Sequence, residues 1–209
     1  MLRSNTDNQF IKQGYAKIFA SARTAIYLHY EKKVGSLVID GKEVTKTSID
    51  NIKKCAINYN NQSMEVFIFT VDVSTIYSYI IMSNLYPTRV SGSWRDIEIL
   101  NDGFYIVKDP INELLYFSGE VILSGKSIRR LFDSVFMFEK DRVIKVVNLE
   151  LDPNVKHKVI TNVYDLFLRP LSVPLCDTNC SVVLRQRQIF VVQPNGMETL
   201  FDNKLINLI

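Results

Sequence analysis

The sequence predicts an α+β protein dominated by antiparallel β-sheet, with an N-terminal amphipathic helix and a few short packing helices. Two observations favour this class. Runs of β-branched and aromatic residues outnumber the segments with helical spacing. Neighbouring runs are separated by turn signals such as Asp40-Gly41 and Asn101-Asp102-Gly103 rather than by helices. Strands joined by tight turns are antiparallel, because parallel strands need a longer crossover.

Length and composition predict one globular domain over residues 1–209, with a possible subdivision near residues 87–93. The chain is 47% hydrophobic and 22% charged, which is typical of proteins with a packed core. Its net charge of +3 arises from 25 basic and 22 acidic side chains that are interspersed along the sequence. A balance this mild does not by itself indicate a nucleic-acid partner.

The first quarter of the chain predicts a helix followed by a hairpin. Asp7 or Asn8 can cap a helix over residues 8–22, where apolar residues recur at helical spacing. Alternating apolar residues at 24–30 favour a strand. The strands that flank Asp40-Gly41 are predicted at residues 36–39 and 42–45.

The next stretch contains the strand that we expect to be central, at residues 64–73. It has large β-branched or aromatic side chains at nearly every position, so layers should cover both of its faces. Short helices are predicted on either side of it. One covers residues 48–56, and the other covers residues 74–86 and stops before Pro87.

The second half predicts mostly strands. A hairpin is expected from residues 94–100 and 104–108, and a bent strand with a bulge at Gly119 is expected over 114–123. Residues 127–136 have apolar side chains at helical spacing, which predicts another short helix. Further strands are predicted at 142–151, 181–184 and 188–193. No internal repeat is evident in the sequence.

The three cysteines predict free thiols without a metal. Cys176 and Cys180 lie four residues apart, but a structural zinc site needs four ligands, and the histidines, His29 and His157, lie far from this pair in sequence. An odd cysteine count, completed by Cys55, favours a reducing compartment. We therefore expect no cofactor and a cytoplasmic protein.

Motifs for catalysis are weak, so the sequence predicts no catalytic residue and no enzyme. Ser124-Gly125-Lys126-Ser127 is similar to the end of a phosphate-binding loop, but Glu120 stands where that motif needs a glycine. Asp96 and Glu98 share one face of a strand, where paired carboxylates are usually solvated.

Basic clusters give the alternative interpretation, a nucleic-acid-binding module. On a strand, Arg185 and Arg187 would project from the same face and could contact phosphates. The aromatic residues of a stacking platform do not interleave with them, which favours solvated sheet edges. The candidate phosphate contacts are Arg129, Arg130, Lys156, Lys158, Arg185 and Arg187.

The composition of the C-terminal residues predicts a segment whose apolar side chains must be buried against other parts of the protein or against a partner. Residues 198–209 are rich in large apolar side chains, and burying each one would contribute ~1.5–3 kcal/mol. The segment either packs on its own domain or docks on a neighbouring subunit. Under the second alternative, the oligomer contacts are Leu205, Ile206, Leu208 and Ile209.

These observations predict a non-enzymatic structural or assembly protein that acts in an oligomer. The chain is rich in Ile, Asn, Lys, Tyr and Phe, whose codons are A/T-rich, and this suggests a phage or viral virion component of the capsid, neck or tail. Expected partners are copies of itself or other assembly proteins. No apolar run reaches the ~18 residues of a membrane span, so a soluble protein is expected. An enzyme with an unrecognised site is a further alternative.

Overall fold

The computed structural model describes residues 2–83, 85–139, 142–147, 151, 158–165, 181–185, 188–192 and 195–201. Contacts group the chain into two compact units, which we describe separately. The larger unit comprises residues 1–124 and 151–154, and the smaller comprises 125–150 and 155–209. The single globular domain stays a prediction, because two groups of contacts can belong to one cooperatively folding domain.

One α-helix, α1 (Leu2–Lys12), and nineteen strands form the regular structure of the described residues. The strands of the first sheets are β1 (Ala16–Ala20), β2 (Thr24–His29), β3 (Val34–Ile39), β4 (Lys42–Ser48), β5 (Ile52–Tyr59), β6 (Gln62–Asp72), β7 (Ile76–Met82), β8 (Thr88–Ser91), β9 (Ile97–Ile99), β10 (Phe104–Lys108), β11 (Glu113–Phe117) and β12 (Glu120–Gly125). The later strands are β13 (Arg129–Phe132), β14 (Val135–Phe138), β15 (Arg142–Val147), β16 (Lys158–Asp165), β17 (Ser181–Arg185), β18 (Gln188–Val192) and β19 (Glu198–Phe201).

The strands form five small sheets in which each strand pairs with its neighbours in sequence. The orders are β1-β2-β3-β4, β5-β6-β7-β8, β12-β11-β10-β9, β13-β14-β15-β16 and β17-β18-β19. The pairings described are all antiparallel, which confirms the predicted dominance of antiparallel sheet.

The strand predicted to be central, β6, is confirmed as an interior strand buried on both faces. Val66 and Ile68 lie on one face, and Phe67, Phe69 and Val71 lie on the other; each is at most 3% exposed. β5 and β7 flank it. A run of large apolar residues without polar alternation is stable only where layers cover both faces of the sheet.

One core cluster of the larger unit lies between the sheet β1–β4 and the sheet β5–β8. The buried residues of this cluster are Phe19, Ile26, Leu28, Leu37, Ile39, Phe67, Phe69, Val71 and Ile81. They come from alternate positions of adjacent strands, so one face of each sheet packs on the other.

The N-terminal helix is shorter than predicted and its position is different. α1 ends at Lys12, and residues 16–20, which were predicted to be helical, form β1. The helix ends because Gly14 adopts a left-handed conformation, with φ of +85°, which is typical of a helix C-terminus. Phe10 stacks on Tyr27, with ring centroids 4.3 Å apart, and so fixes the helix on the first sheet.

The predicted short packing helices are mostly wrong. Residues 48–56 form one 3₁₀ turn, Ile49–Asn51, followed by β5; residues 74–86 contain β7; and residues 127–136 contain β13 and the start of β14. Strand pairing overrides helical spacing here, because β-branched and aromatic side chains pack well on a sheet. The other helical turns described are also single 3₁₀ turns, at Trp94–Asp96 and Asn101–Gly103.

The sequence predicts the turns more accurately than it predicts the helices. Asp40 and Gly41 both have positive φ, of 51° and 78°, and they join β3 to β4 as predicted. The turn at Asn101–Gly103 joins β9 to β10. The expected bent strand at 114–123 is instead a hairpin, since Ser118 and Gly119 both have positive φ and form a turn between β11 and β12.

Buried tyrosines predict a loss of stability in alkali. Tyr105 is 1% exposed and stacks on Tyr116, and burial raises the pKa of both phenols. As the pH rises past about 10, the unfolded chain loses these protons while the folded chain keeps them, so the free energy of unfolding should fall by up to ~1.4 kcal/mol per pH unit for each group. Denaturant titration from neutral pH to strong alkali measures this slope.

Tyr105→Phe should make this alkaline slope shallower. The exposed Tyr30 supplies the control, because its ring is 62% exposed. Tyr30→Phe should leave the free energy of unfolding at neutral pH within about 0.5 kcal/mol of that of the native chain. Equal slopes for the native chain and Tyr105→Phe would contradict the assignment of the loss to Tyr105.

A groove between two strand edges as the candidate functional site

The candidate site is a groove of about 650 Å³ in the larger unit, which we call the edge groove. Its lining residues come from β5, β6, β9 and the 3₁₀ turn that precedes β9. They are Lys53, Cys55, Ala56, Ile68, Trp94, Arg95, Ile97 and Ile99. The volume lies within the ~300–1,000 Å³ range of typical ligand pockets.

Two edge strands border the groove. β5 is the first strand in the order β5-β6-β7-β8, and β9 is the last in the order β12-β11-β10-β9. Within the described part of the chain, no strand pairs with the second edge of either one. At the far end of β5, the backbone N–H of Asn58 donates to Oδ1 of Asn101, 3.2 Å away, so this end of the edge is covered.

β5 presents a regular edge. It pairs with β6 over eight consecutive residue pairs without a register shift. The edge strands of the first sheet differ, because β1 and β4 each contain an irregularity in their pairing. Such bulges protect exposed edges against pairing with other chains, and β5 lacks this protection.

The floor of the edge groove is apolar. Ile68 comes from the interior strand β6 and is 2% exposed, and Ile97 on β9 is 8% exposed. Ile99 follows Ile97 on the same face of β9, because side chains alternate along a strand. An extended chain lying in the groove could therefore bury apolar side chains against this floor.

Two cations lie beside the indole of Trp94 at the groove. Nζ of Lys53 lies 4.1 Å from the ring centroid, and Cζ of Arg95 lies 4.9 Å from it. Both distances are within the ~6 Å range of cation–π attraction. Among the residues that the structure describes, no carboxylate forms an ion pair with Lys53 or Arg95.

The nearby acidic side chains are occupied elsewhere. Oδ2 of Asp96 accepts hydrogen bonds from the backbone N–H and the hydroxyl of Ser93, at 2.8 and 2.9 Å. Glu98 lies 3.5 Å from Nζ of Lys108. Lys53 and Arg95 therefore bring two cations to the groove, and neither forms an ion pair with Asp96 or Glu98.

A chain of hydroxyl hydrogen bonds fixes the loop that carries Trp94. The backbone N–H of Trp94 donates to Oγ1 of Thr70 over 2.9 Å, and the Thr70 hydroxyl lies 2.8 Å from that of Ser78. Ser78 donates in turn to the carbonyl of Gly92, also over 2.8 Å, which leaves Thr70 as the donor to Ser78. Thr70 and Ser78 are buried, so this chain connects the loop to the interior of the sheet.

Cys55 lies half-buried in the wall of the groove, and its thiol is suited to packing. Burial raises the pKa of the Cys55 thiol, and the charge of Lys53 lowers it by less. A raised pKa keeps the thiol protonated at neutral pH, whereas nucleophilic cysteines need a lowered one.

The predicted basic cluster on β13 does not form one surface. Arg129 and Arg130 are consecutive, so they project from opposite faces of the strand. Arg129 Nη2 lies 3.8 Å from the sulfur of Met137, and Nε of Arg130 donates to the carbonyl of Asp133. Nucleic-acid binding through these residues stays a prediction.

The other predicted site residues are separated or lie outside the described residues. Lys158 begins β16, which lies at the opposite edge of its sheet from β13, and Arg185 ends β17 in another sheet. Residues outside the described part are Lys156, Arg187, Cys176, Cys180, Leu205, Ile206, Leu208 and Ile209.

The described residues contain no group of three or more His, Cys, Asp or Glu side chains placed to hold a metal ion. The expected absence of a metal or cofactor stays a prediction. None of the helices in the described part of the chain is long and apolar enough to span a membrane.

Sequence reasoning missed the residues of the edge groove. Lys53 fell in a stretch predicted to be helical, and Trp94 and Arg95 fell in a predicted strand. The signal that could have indicated them is the single tryptophan of the chain, which is followed directly by an arginine. Nothing in the sequence indicates that Lys53 lies beside it.

Comparison with known proteins gives no family for this chain. No protein-family model matches it, and no curated protein matches it in sequence.

Proposed function

We propose that this chain is a non-enzymatic assembly protein that acts by binding protein chains, either copies of itself or other assembly proteins. The observation that supports this function is the edge groove, where two unpaired strand edges border an apolar floor. Backbone N–H and C=O groups on an open edge bind another extended chain by strand addition. A protein that presents such an edge beside exposed cations is suited to contact with other chains.

The composition supports a more specific form of this proposal. The abundance of residues with A/T-rich codons is typical of many phage and viral genomes, and it favours a virion component of the capsid, neck or tail. Its place would be the host cytoplasm before incorporation in the particle.

Light scattering tests the proposed oligomer. We expect the purified chain to have a mass that is a multiple of the monomer and that rises with concentration. Deletion of residues 203–209 removes the proposed contacts of Leu205, Ile206, Leu208 and Ile209, so it should leave a folded monomer without the higher-mass species. A clean monomer at every concentration, with no protein partner copurifying, would refute the proposed function.

Nucleic-acid binding is a second candidate function, and the pairing of Trp94 with Lys53 and Arg95 favours it. Aromatic rings flanked by cations bind single strands through stacking and phosphate contacts. The ammonium of Lys53 lies over the ring, where a base would stack, and this favours the assembly function. Anisotropy of a labelled single-stranded oligonucleotide, measured across salt concentrations, tests the candidate, because phosphate contacts produce a steep salt dependence.

A further inference from the structure

We propose that the edge groove binds an extended acidic segment of a partner protein, which adds as a strand to β5. This inference rests on the proposed assembly function and names the chemistry of the partner. Three features support it: a regular strand edge, an apolar floor and two cations that form no ion pair with a described carboxylate.

The strand edge sets the conformation of the occupant. Lys53, Cys55 and Ala56 place the middle of β5 along the groove, and Asn101 covers the far end at Asn58. The open part of the edge can exchange backbone hydrogen bonds with one further strand. A chain bound in this way is extended, and its side chains alternate between the floor of the groove and its opening.

The floor and the charge set the composition of the occupant. Ile97 and Ile99, which line the groove from β9, offer apolar contact to every second residue of the added strand. Lys53 and Arg95 are exposed beside the same groove and attract carboxylates. Arg95 can also bind a carboxylate through two parallel hydrogen bonds. The occupant that fits is a segment in which apolar and acidic residues alternate.

A short synthetic peptide of alternating aspartate and valine tests this inference. Trp94 is the only tryptophan, so its fluorescence reports directly on binding at the groove. We expect the peptide to change this fluorescence in a saturable way. A peptide with asparagine in place of aspartate should bind more weakly.

Variants of the chain locate the binding site. Lys53→Gln and Arg95→Gln should each weaken binding by about threefold to fivefold, as expected for the loss of one exposed ion pair. Lys54→Gln is the matched control, because Lys54 is the next residue of β5, projects from the opposite face and pairs with Glu65. It should change the affinity by less than about twofold. Circular dichroism should show that all three variants remain folded.

Methylated peptides test strand addition itself. N-methyl groups on alternate residues remove the backbone donors on one side of the peptide, so one of the two alternating patterns should abolish binding and the other should not. Equal binding of both methylated peptides would overturn strand addition. Equal losses of peptide affinity in Lys53→Gln and Lys54→Gln would overturn the assignment of the binding site to the edge groove.

The remaining outcomes separate this inference from the proposed function. An oligomer that fails to bind the acidic peptide overturns the inference and leaves the assembly function standing. If the chain is a monomer but binds the peptide with the expected order of affinities among the variants, the inference is supported and the proposed oligomer is refuted. Tighter binding of a single-stranded oligothymidylate than of the peptide, with the same dependence on Lys53 and Arg95, would overturn the inference in favour of nucleic acid.

Discussion

Phe69→Ala should lower the free energy of unfolding by ~3–5 kcal/mol. The ring of Phe69 is fully buried in the core between the first two sheets, on the interior strand β6. It approaches the position where a Cβ on Gly35 would lie to within 3.5 Å, so the opposite sheet packs closely against it. Truncation would leave a cavity that these strands cannot fill, because each is held by backbone pairing. Urea unfolding measures the loss.

Ile76→Ala is the control for this prediction. Ile76 begins β7 and is 47% exposed, so its truncation should cost less than about 1 kcal/mol. A loss below about 1 kcal/mol for Phe69→Ala as well would show that β6 is peripheral to the core.

Thr70→Val should destabilise the protein by ~1–3 kcal/mol and disturb Trp94 in the same step. The substitution keeps the shape of the side chain but removes the hydroxyl that accepts from the N–H of Trp94 and contacts Ser78. The N–H of Trp94 then loses its acceptor. Denaturant titration measures the stability, and the tryptophan emission of the folded variant should shift because its loop is no longer fixed.

Thr45→Val is the matched control for the hydroxyl. Thr45 lies on the edge strand β4, and its hydroxyl makes only an exposed 3.5 Å contact to the carbonyl of Lys46 among the described residues. Its replacement should change the stability by less than about 0.5 kcal/mol and leave the fluorescence unchanged. If Thr70→Val behaved in the same way, the hydroxyl chain would not be what fixes the Trp94 loop.

The features that the sequence predicts correctly depend on local chemistry. Asp40-Gly41 predicts its hairpin because few residues accept positive φ at both central positions of a tight turn. β6 is predicted because an unbroken run of large apolar side chains needs cover on both faces.

The helices were predicted wrongly because the spacing of apolar residues in a short segment does not distinguish a helix from a strand. Residues 74–86 place Ile80, Ile81 and Leu85 at helical offsets, yet Ile80 and Ile81 lie on β7, where pairing with β6 and β8 buries them. Only pairing with neighbouring strands decides between helix and strand here, and this pairing overrides the intrinsic propensity of the residues.

The edge groove could not be predicted from sequence for a related reason. Lys53 and Trp94 are far apart in the chain, and they meet because the turn that carries Trp94 is held on the sheet β5–β8 through Thr70. Their placement depends on how sheets pack, which turn signals and periodicity do not encode. Arg95 follows Trp94 in sequence, but its lack of a carboxylate partner among the described residues is visible only in three dimensions.

The sequential order of strands within each described sheet has a consequence for folding kinetics. Every described strand pairs only with the strand before or after it in the chain, so sheet formation closes short loops. Loop-closure entropy is then small for each step, and the relative contact order of a sheet is low for a β-rich protein. The strands of each meander can begin to pair as soon as they have left the ribosome, and the first meander completes its core when β5–β8 packs on it. We therefore expect refolding to be faster than is usual for β-sandwiches, whose strands must find partners distant in sequence.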